Sequence, residues 1–269
     1  MTFRRYCLCA LLFSGIVSGA QAHTICTMLA DASTGRILVE RGDCTTRVTP
    51  ASTFKIAISL MGYDSGFLKD EHTPLLPFRE GYPDYIASWR APTDPTAWIR
   101  NSVVWYSQQV TRSLGQDRFR RYVAAFRYGN EDVSGDPGKH DGLTRAWLSS
   151  SLKIAPKEQI AFLRRLVART LPVSGRAFDM TGRITEIGTY GDGWDVHGKT
   201  GTGSPVLASG VHDDAHDYGW FVGWARKDER AVVFARLIQA DTILPEGAGP
   251  NARAAFLAEL PDLLRSSTK

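Results

Sequence analysis

The chain has 269 residues and a formal net charge of +4, a length that suits one large domain or two closely packed parts. Hydrophobic residues make up 43% and charged residues 22%, and this much apolar material excludes a disordered chain. The 32 basic residues are scattered among 28 acidic ones, whereas a nucleic-acid-binding protein clusters its basic residues. We therefore predict a globular protein with no nucleic-acid partner.

The N-terminal segment Met1–Ala22 has the pattern of a secretory signal peptide. Arg4-Arg5 precedes an apolar stretch from Leu8 to Val17, and Ala20-Gln21-Ala22 supplies the small residues of a cleavage site. The apolar stretch is too short for a membrane anchor, and the Ala-x-Ala ending also disfavours a buried helix. We predict cleavage after Ala22, a periplasmic protein, and no membrane span in the mature chain.

Two cysteines, Cys26 and Cys44, follow the predicted cleavage point. They flank a predicted β-hairpin in which residues 27–32 and 36–40 are apolar strands and Ser33-Thr34-Gly35 forms the turn. A disulfide across the open ends of this hairpin is reasonable in an oxidising compartment, and two free thiols are the alternative.

The rest of the chain divides into a helical middle and a strand-rich end. Apolar spacing predicts helices at residues 54–61, 116–128 and 156–169. Asp94-Pro95 predicts the start of a further helix. After about residue 185 the pattern favours strands, at 194–202, 218–225 and 231–239. A last helix is predicted at Asn251–Leu260, ending or kinking at Pro261.

This order predicts an α+β fold, since strands lie at both ends of the chain and helices lie between them. We expect one domain at residues 23–269, with a sheet part at about 23–62 and 186–269 and an inserted helical part at about 63–185. The cleft between the two parts is the expected place for a functional site.

Ser52-Thr53-Phe54-Lys55 is the first candidate for chemistry. Residues three apart on a helix share a face, so the Lys55 amine is expected beside the Ser52 hydroxyl, which needs a base to become a nucleophile. Ser-x-x-Lys alone is weak, because it recurs at Ser150/Lys153 and Ser266/Lys269, and Ser52 could be a helix cap. Lys55 is more informative, since a lysine on a buried helix is costly while charged.

Other short motifs are individually ambiguous. Lys199-Thr200-Gly201 follows a predicted strand and could be a substrate-binding edge or a plain turn. Ser102-Val103-Val104 has a second Ser-x-Val match at Ser209, and Tyr128-Gly129-Asn130 could be a helix end.

The combination is more specific. Ser-x-x-Lys followed far downstream by Lys-Thr-Gly is typical of penicillin-binding proteins and serine β-lactamases, and with Ser-x-Val and Tyr-Gly-Asn the sequence resembles the class D β-lactamases, the oxacillinases. The resemblance runs from about Cys26 to Arg253. It rests on six motifs in the family's order: residues 50–55, 98–106, 128–130, 147–148, 199–201 and 218–224.

The resemblance implies a mainly antiparallel sheet with flanking helices and a mechanism on Ser52. Ser52 would be acylated by the β-lactam carbonyl, with backbone N–H groups of Ser52 and Thr202 as the oxyanion hole. Lys55 would carry carbon dioxide as N6-carboxylysine and act as general base. No other cofactor is implied.

The family match also assigns roles to residues that are unremarkable alone. Trp147 would donate its indole N–H to the carboxylated lysine, and Val104 would line that pocket. Ser102 would relay a proton toward the leaving nitrogen beside Lys199. Thr200 and Arg253 would bind the substrate carboxylate, with Gly201 leaving room at the strand edge.

The sequence leaves two further interpretations open. His212-Asp213-Asp214-Ala215-His216 could suggest a metal, but it lies in a polar stretch between predicted strands, so we predict a solvated loop and no metal. A D-Ala-D-Ala peptidase or a β-lactam sensor would use the same serine without rapid turnover.

Overall fold

The computed structural model describes residues 22–266. The predicted signal peptide, Met1–Ala22, therefore lies outside the described residues except for its last residue. Among the residues that are described, no helix is both long enough and apolar enough to cross a bilayer.

Within the described residues, the strands of one six-stranded sheet lie before and after a largely helical middle, and one long helix follows the last strand. The strands are β1 (Ala22–Asp31), β2 (Ile37–Gly42), β3 (Glu186–Tyr190), β4 (Trp194–Gly203), β5 (Tyr218–Lys227) and β6 (Arg230–Ala240). The helices are α1 (Lys55–Asp64), α2 (Pro95–Arg100), α3 (Val104–Leu114), α4 (Gln116–Ala125), α5 (Gly142–Arg145), α6 (Pro156–Val167), α7 (Gly175–Ile184) and α8 (Ala248–Ser266).

The sheet has the order β2-β1-β6-β5-β4-β3, and every pairing is antiparallel. The β1–β6 pair joins the two ends of the chain, so the helical middle is an insertion between strands of one sheet. The predicted α+β class is confirmed.

Separate apolar cores lie on the two faces of the sheet. On one face, α8 packs through Phe256 against Phe221 and Phe234, with ring centroids 5.7 and 4.3 Å away. The other, larger core joins the opposite face to α1, α3, α4 and α6 and includes Phe54, which begins the segment leading into α1. Helix α1 is thus buried on nearly all sides.

The predicted hairpin is confirmed. Strands β1 and β2 pair antiparallel, and the turn between them is held by the Asp31 carboxylate, which accepts hydrogen bonds from Ser33 Oγ and the Thr34 backbone N–H at 2.7 Å each. Cys26 and Cys44 form the expected disulfide across the open end, with their Cα atoms 5.1 Å apart.

The last helix differs from its prediction. It begins at Ala248 rather than Asn251 and continues through Pro261 to Ser266, so of the two predicted alternatives at Pro261 the helix end is wrong and the kink stays a prediction. Leu260, Leu263 and Leu264 are all buried in the core under the sheet. Their burial offsets the hydrogen bond that proline cannot make within a helix.

Candidate active site

Ser52 lies on a tight 3₁₀ turn, residues Ala51–Phe54, directly before α1. Side chains three residues apart nearly eclipse one another in this geometry. The turn therefore brings Lys55, the first residue of α1, over Ser52, and the Lys55 amine donates to Ser52 Oγ across 2.9 Å. Ala51 has φ +47°, a strained value for a residue with a side chain and one that is common beside functional groups.

Lys55 has no exposed surface. Burial, and secondarily the nearby charge of Lys199, holds the pKa of its amine well below the ordinary lysine value. The amine is thus neutral over a much wider pH range than an exposed lysine, and a neutral amine has a lone pair available for a proton or an electrophile.

Trp147 follows α5 and is fully buried. Its ring packs against Phe54, with centroids 5.8 Å apart, and against Phe119 at 6.3 Å. Its indole N–H has no hydrogen-bond partner among the described residues. A buried unpaired donor is unfavourable, so this N–H is available to an acceptor that the polypeptide itself does not supply.

Strand β4 runs against the turn that carries Ser52. A side chain at Gly201 would place its Cβ 3.0 Å from the Pro50 carbonyl oxygen and 3.1 Å from the Thr53 nitrogen. The glycine of the Lys-Thr-Gly motif thus permits the close approach of the serine turn, and its role in leaving room for a substrate stays a prediction.

Lys199 is 5% exposed and lies on β4 near Lys55. Its Nζ donates to the Thr200 carbonyl at 3.2 Å. Burial, followed by the charge of Arg253, lowers the pKa of Lys199 to about 7. The structure therefore brings the lysines of both motifs together in one site.

Arg253 lies on α8, whose first turn is tied to β4 because Thr202 Oγ1 accepts from the Gly249 backbone N–H at 2.9 Å. Arg253 lines one cavity together with Lys199 and Thr200, as expected for groups that bind one carboxylate. That Arg253 and Thr200 bind it stays a prediction, as does the oxyanion role of the Ser52 and Thr202 backbone.

Ser102 lies between α2 and α3 with φ +59°, a second strained position in the site region. Val104 is buried and begins α3, which packs against α1. These placements fit the proton relay and the pocket lining that the resemblance implies, although the roles themselves stay predictions.

Two residues that position the site, Thr49 and Gln159, have no signal in the sequence. Thr49 Oγ1 donates to the Trp147 carbonyl at 3.0 Å and accepts from the Ser149 N–H. Gln159 Nε2 donates to Thr53 Oγ1 at 3.0 Å, beside Ser52, and to the Tyr128 hydroxyl. Both are single polar residues whose partners are far away in the sequence, so no local pattern indicates them.

The histidine-containing stretch lies in the loop between β4 and β5. His216 Nδ1 is 2.9 Å from an Asp213 carboxylate oxygen, and Ser204 donates to Asp214 at 2.6 Å. Within residues 22–266 no group of three or more His, Cys, Asp or Glu side chains is arranged to hold a metal ion.

Comparisons with known proteins place this geometry in a family. Residues 25–262 match the model of the penicillin-binding protein transpeptidase domain. β-Lactamase OXA-9 of Klebsiella pneumoniae is 47% identical over 258 residues, covering 94% of this chain and 93% of that protein. β-Lactamase OXA-1 of Escherichia coli is 37% identical and covers 74% of this chain and 70% of its own length.

A solved structure agrees with these relatives. The crystal structure of the class D β-lactamase OXA-427 superposes with a TM-score of 0.85 at 47% identity, covering 90% of this chain and 99% of that one. Extended identity, the same fold and the paired serine and lysine together show that the chain belongs to the class D β-lactamases.

Proposed function

We propose that this β-lactamase opens its substrates through an acyl-enzyme on Ser52, with carboxylated Lys55 as the general base. The observation that carries the proposal is the fully buried Lys55 amine 2.9 Å from Ser52 Oγ. A serine hydroxyl becomes nucleophilic when an adjacent base accepts its proton, and a lysine can be that base only when burial removes its own proton.

In the first half-reaction, Ser52 Oγ attacks the β-lactam carbonyl carbon and gives its proton to the base at Lys55. The ring C–N bond then breaks, and the base passes that proton through Ser102 to the ring nitrogen, which leaves the base free to accept another. In the second half-reaction, water attacks the ester carbonyl while the same base accepts a proton from the water. The ester C–O bond then breaks, and the base gives this proton to Ser52 Oγ, which restores the hydroxyl.

The residues around Lys55 fit a carboxylated side chain. Carbon dioxide adds only to a neutral amine, and burial favours that form of Lys55. The new carboxylate needs a donor, and Trp147 has a buried indole N–H without a partner among the described residues. Once present, the carbamate supplies an anionic base beside Ser52. Val104, at the start of the helix packed against α1, is proposed to line this pocket.

Substrate binding is proposed at β4. Lys199, Thr200 and Arg253 line one cavity and offer two cations and a hydroxyl to the carboxylate next to the lactam ring. The backbone N–H groups of Ser52 and Thr202 are proposed to stabilise the oxyanion, with the flat edge at Gly201 leaving room for the ring.

The same proposal covers organisation and location. The mature protein is one catalytic domain at residues 23–269, with the sheet part at about 23–62 and 186–269 and the helical part at about 63–185. It acts in the periplasm after removal of Met1–Ala22. The Cys26–Cys44 disulfide is consistent with an oxidising compartment.

Nitrocefin hydrolysis tests the nucleophile. Ser52→Ala is expected to lower kcat by about 10⁴-fold or more, since the acylating group is lost. Ser113→Ala, at an exposed serine on α3, is the matched control and is expected to retain full turnover. A Ser52→Ala protein that keeps turnover would contradict the proposal.

A second measurement separates hydrolysis from simple acylation. The match to a transpeptidase domain raises the alternative of a peptidase or sensor that is acylated once. Steady turnover supports the hydrolase, whereas a burst of one equivalent that then stops supports the alternative. Carbon-13 NMR with labelled bicarbonate is expected to show one carbamate signal in the wild type and none in Lys55→Ala.

A further inference from the structure

A cavity of about 280 Å³ continues from the predicted carboxylate site along the open edge of β4. Strand β3 pairs with β4 only up to the Glu186–His197 pair, and the next backbone contact is the Gly198 N–H on the Thr185 carbonyl. Beyond that point the strand edge faces the end of α2 instead of another strand. The cavity occupies this gap, between α2, the α7–β3 junction and α8.

The lining of the cavity is strongly cationic. Its ionisable side chains are three arginines, one lysine and one carboxylate, namely Arg100, Arg183, Arg253, Lys199 and Glu186. Arg183 has a partner outside the cavity, Glu71, at 3.4 Å. Arg100 and Arg253 form no ion pair within residues 22–266.

The predicted carboxylate site does not account for all of this charge. One substrate carboxylate would satisfy Lys199, Thr200 and Arg253, which lie on β4 and α8. Arg100 lies across the gap at the end of α2, two residues before Ser102, and its exposed guanidinium would still have no anion. Arginine at a helix C-terminus is well placed to present a cation, and it can bind carboxylate or sulfonate through two N–H groups.

We propose that the part of this cavity at Arg100 and Arg183 is a second anion subsite, which binds an acidic group carried by the substrate beyond its ring carboxylate. The proposal rests on the proposed function, because it assumes that the ring carboxylate lies at Thr200 and Arg253. The volume of the cavity is at the lower limit for a complete small-molecule site, so the cavity suits one substituent of a substrate rather than a whole antibiotic.

The chemistry of β-lactams identifies which substituent this is. In cephalosporins the 3-substituent is on the carbon next to the one that bears the ring carboxylate, so it is the group that extends past Arg253. Penicillins have no substituent of this kind at that end of the molecule. The subsite therefore selects cephalosporins with an anionic 3-substituent over the same compounds with a neutral one.

Two cephalosporins, cefonicid and cefamandole, test this directly because they have the same acyl side chain. They differ on the tetrazole of the 3-substituent, which carries an anionic sulfomethyl group in cefonicid and a neutral methyl group in cefamandole. The probe is the ratio of their kcat/KM values, with their competition against nitrocefin as a second readout if turnover is slow. The wild type is expected to favour cefonicid, and Arg100→Gln is expected to reduce that preference by about fivefold. Arg183→Gln is expected to reduce it less, since Arg183 already pairs with Glu71.

The matched control is Arg120→Gln, which removes the same charge from an exposed position on α4. It is expected to leave both the ratio and benzylpenicillin turnover unchanged. The proposal is overturned if the wild type shows no preference for cefonicid, or if Arg100→Gln lowers kcat/KM equally for both compounds. It is also overturned if Arg120→Gln reduces the preference as much as Arg100→Gln does. Failure of the proposed function would instead appear as turnover that survives Ser52→Ala.

Discussion

Two buried lysines, one at the start of α1 and one on β4, lie in the same site but in different surroundings. Lys55 is enclosed by apolar side chains and has a serine hydroxyl as its hydrogen-bond partner. Lys199 opens onto a cavity that also contains Arg253 and other arginines. Burial is the largest cause of the lowered pKa in both cases, and a neighbouring cation is the second.

The difference shows how one residue type serves two purposes. Enclosure without any counter-charge keeps the Lys55 amine neutral, which suits it to proton transfer and carboxylation. Beside Lys199, Arg253 adds a positive potential and the cavity gives an anion access to it. This arrangement suits Lys199 to substrate binding. The predictions that follow test each half of this comparison.

The largest effect is expected for Lys55→Met. Methionine has a similar unbranched shape, so packing is largely retained, whereas the base is lost and kcat should fall by about 10³-fold or more. Nitrocefin kinetics measure the activity, and urea unfolding is expected to show that the free energy of unfolding does not decrease. Retained turnover would remove Lys55 from the mechanism.

A smaller effect is expected in the stability of Lys199→Met. The folded pKa of about 7 lies below the unfolded value of about 10.4, so protonation favours the unfolded state. This penalty is fully present below pH 7 and disappears as the pH rises toward 10. Lys199→Met is therefore expected to have a larger free energy of unfolding than the wild type. This advantage is expected to be about 2 kcal/mol greater at pH 6 than at pH 9.

Denaturant unfolding at the two pH values measures this difference. Lys153→Met, which removes the same charge from an exposed position, is the matched control and should show no such window. If Lys199→Met is more stable than the wild type by the same amount at both pH values, burial does not perturb the Lys199 amine of the wild type.

The smallest effect is expected for Trp147→Phe. Phenylalanine keeps an aromatic ring against Phe54 and Phe119 but lacks the N–H proposed for the carbamate. Turnover is expected to fall about tenfold, consistent with loss of one hydrogen bond to a charged group, and added bicarbonate should restore part of it.

Trp105→Phe is the matched control, because the Trp105 indole N–H already donates to the Trp89 carbonyl at 2.9 Å. It is expected to lower stability without creating any dependence on bicarbonate. If both variants respond to bicarbonate alike, the unpartnered N–H of Trp147 has no special role.

Local sequence patterns predicted much of the fold. Short apolar runs located β1, β2 and the β5–β6 hairpin, and the Asp94 cap located α2, where the Asp94 side chain accepts from the Ala97 N–H at 2.7 Å. The end of α8 could not be predicted locally, because Pro261 indicates a helix end and only the buried leucines around it keep the helix intact.

For the site, the motifs predicted which residues to examine but not their environment. The spacing of Ser52 and Lys55 predicted their contact, although a 3₁₀ turn rather than a regular helix provides it. Apart from Arg253, which the family match indicated, the cationic cavity had no sequence signal, since Arg100 and Arg183 are far apart in the chain and resemble ordinary surface arginines.

The amino-acid sequence alone determined the family, the class of fold and the candidate nucleophile, and it left open whether Cys26 and Cys44 are bridged or free. Those properties depend on residue types at short spacing or on motifs in a fixed order. Tertiary structure decided that the Lys55 amine is fully buried, that the Trp147 N–H lacks a partner among the described residues, and that cations gather at the edge of β4. Each of these is a property of surroundings built from distant segments, as when Thr49 holds Trp147 across 98 positions of the chain.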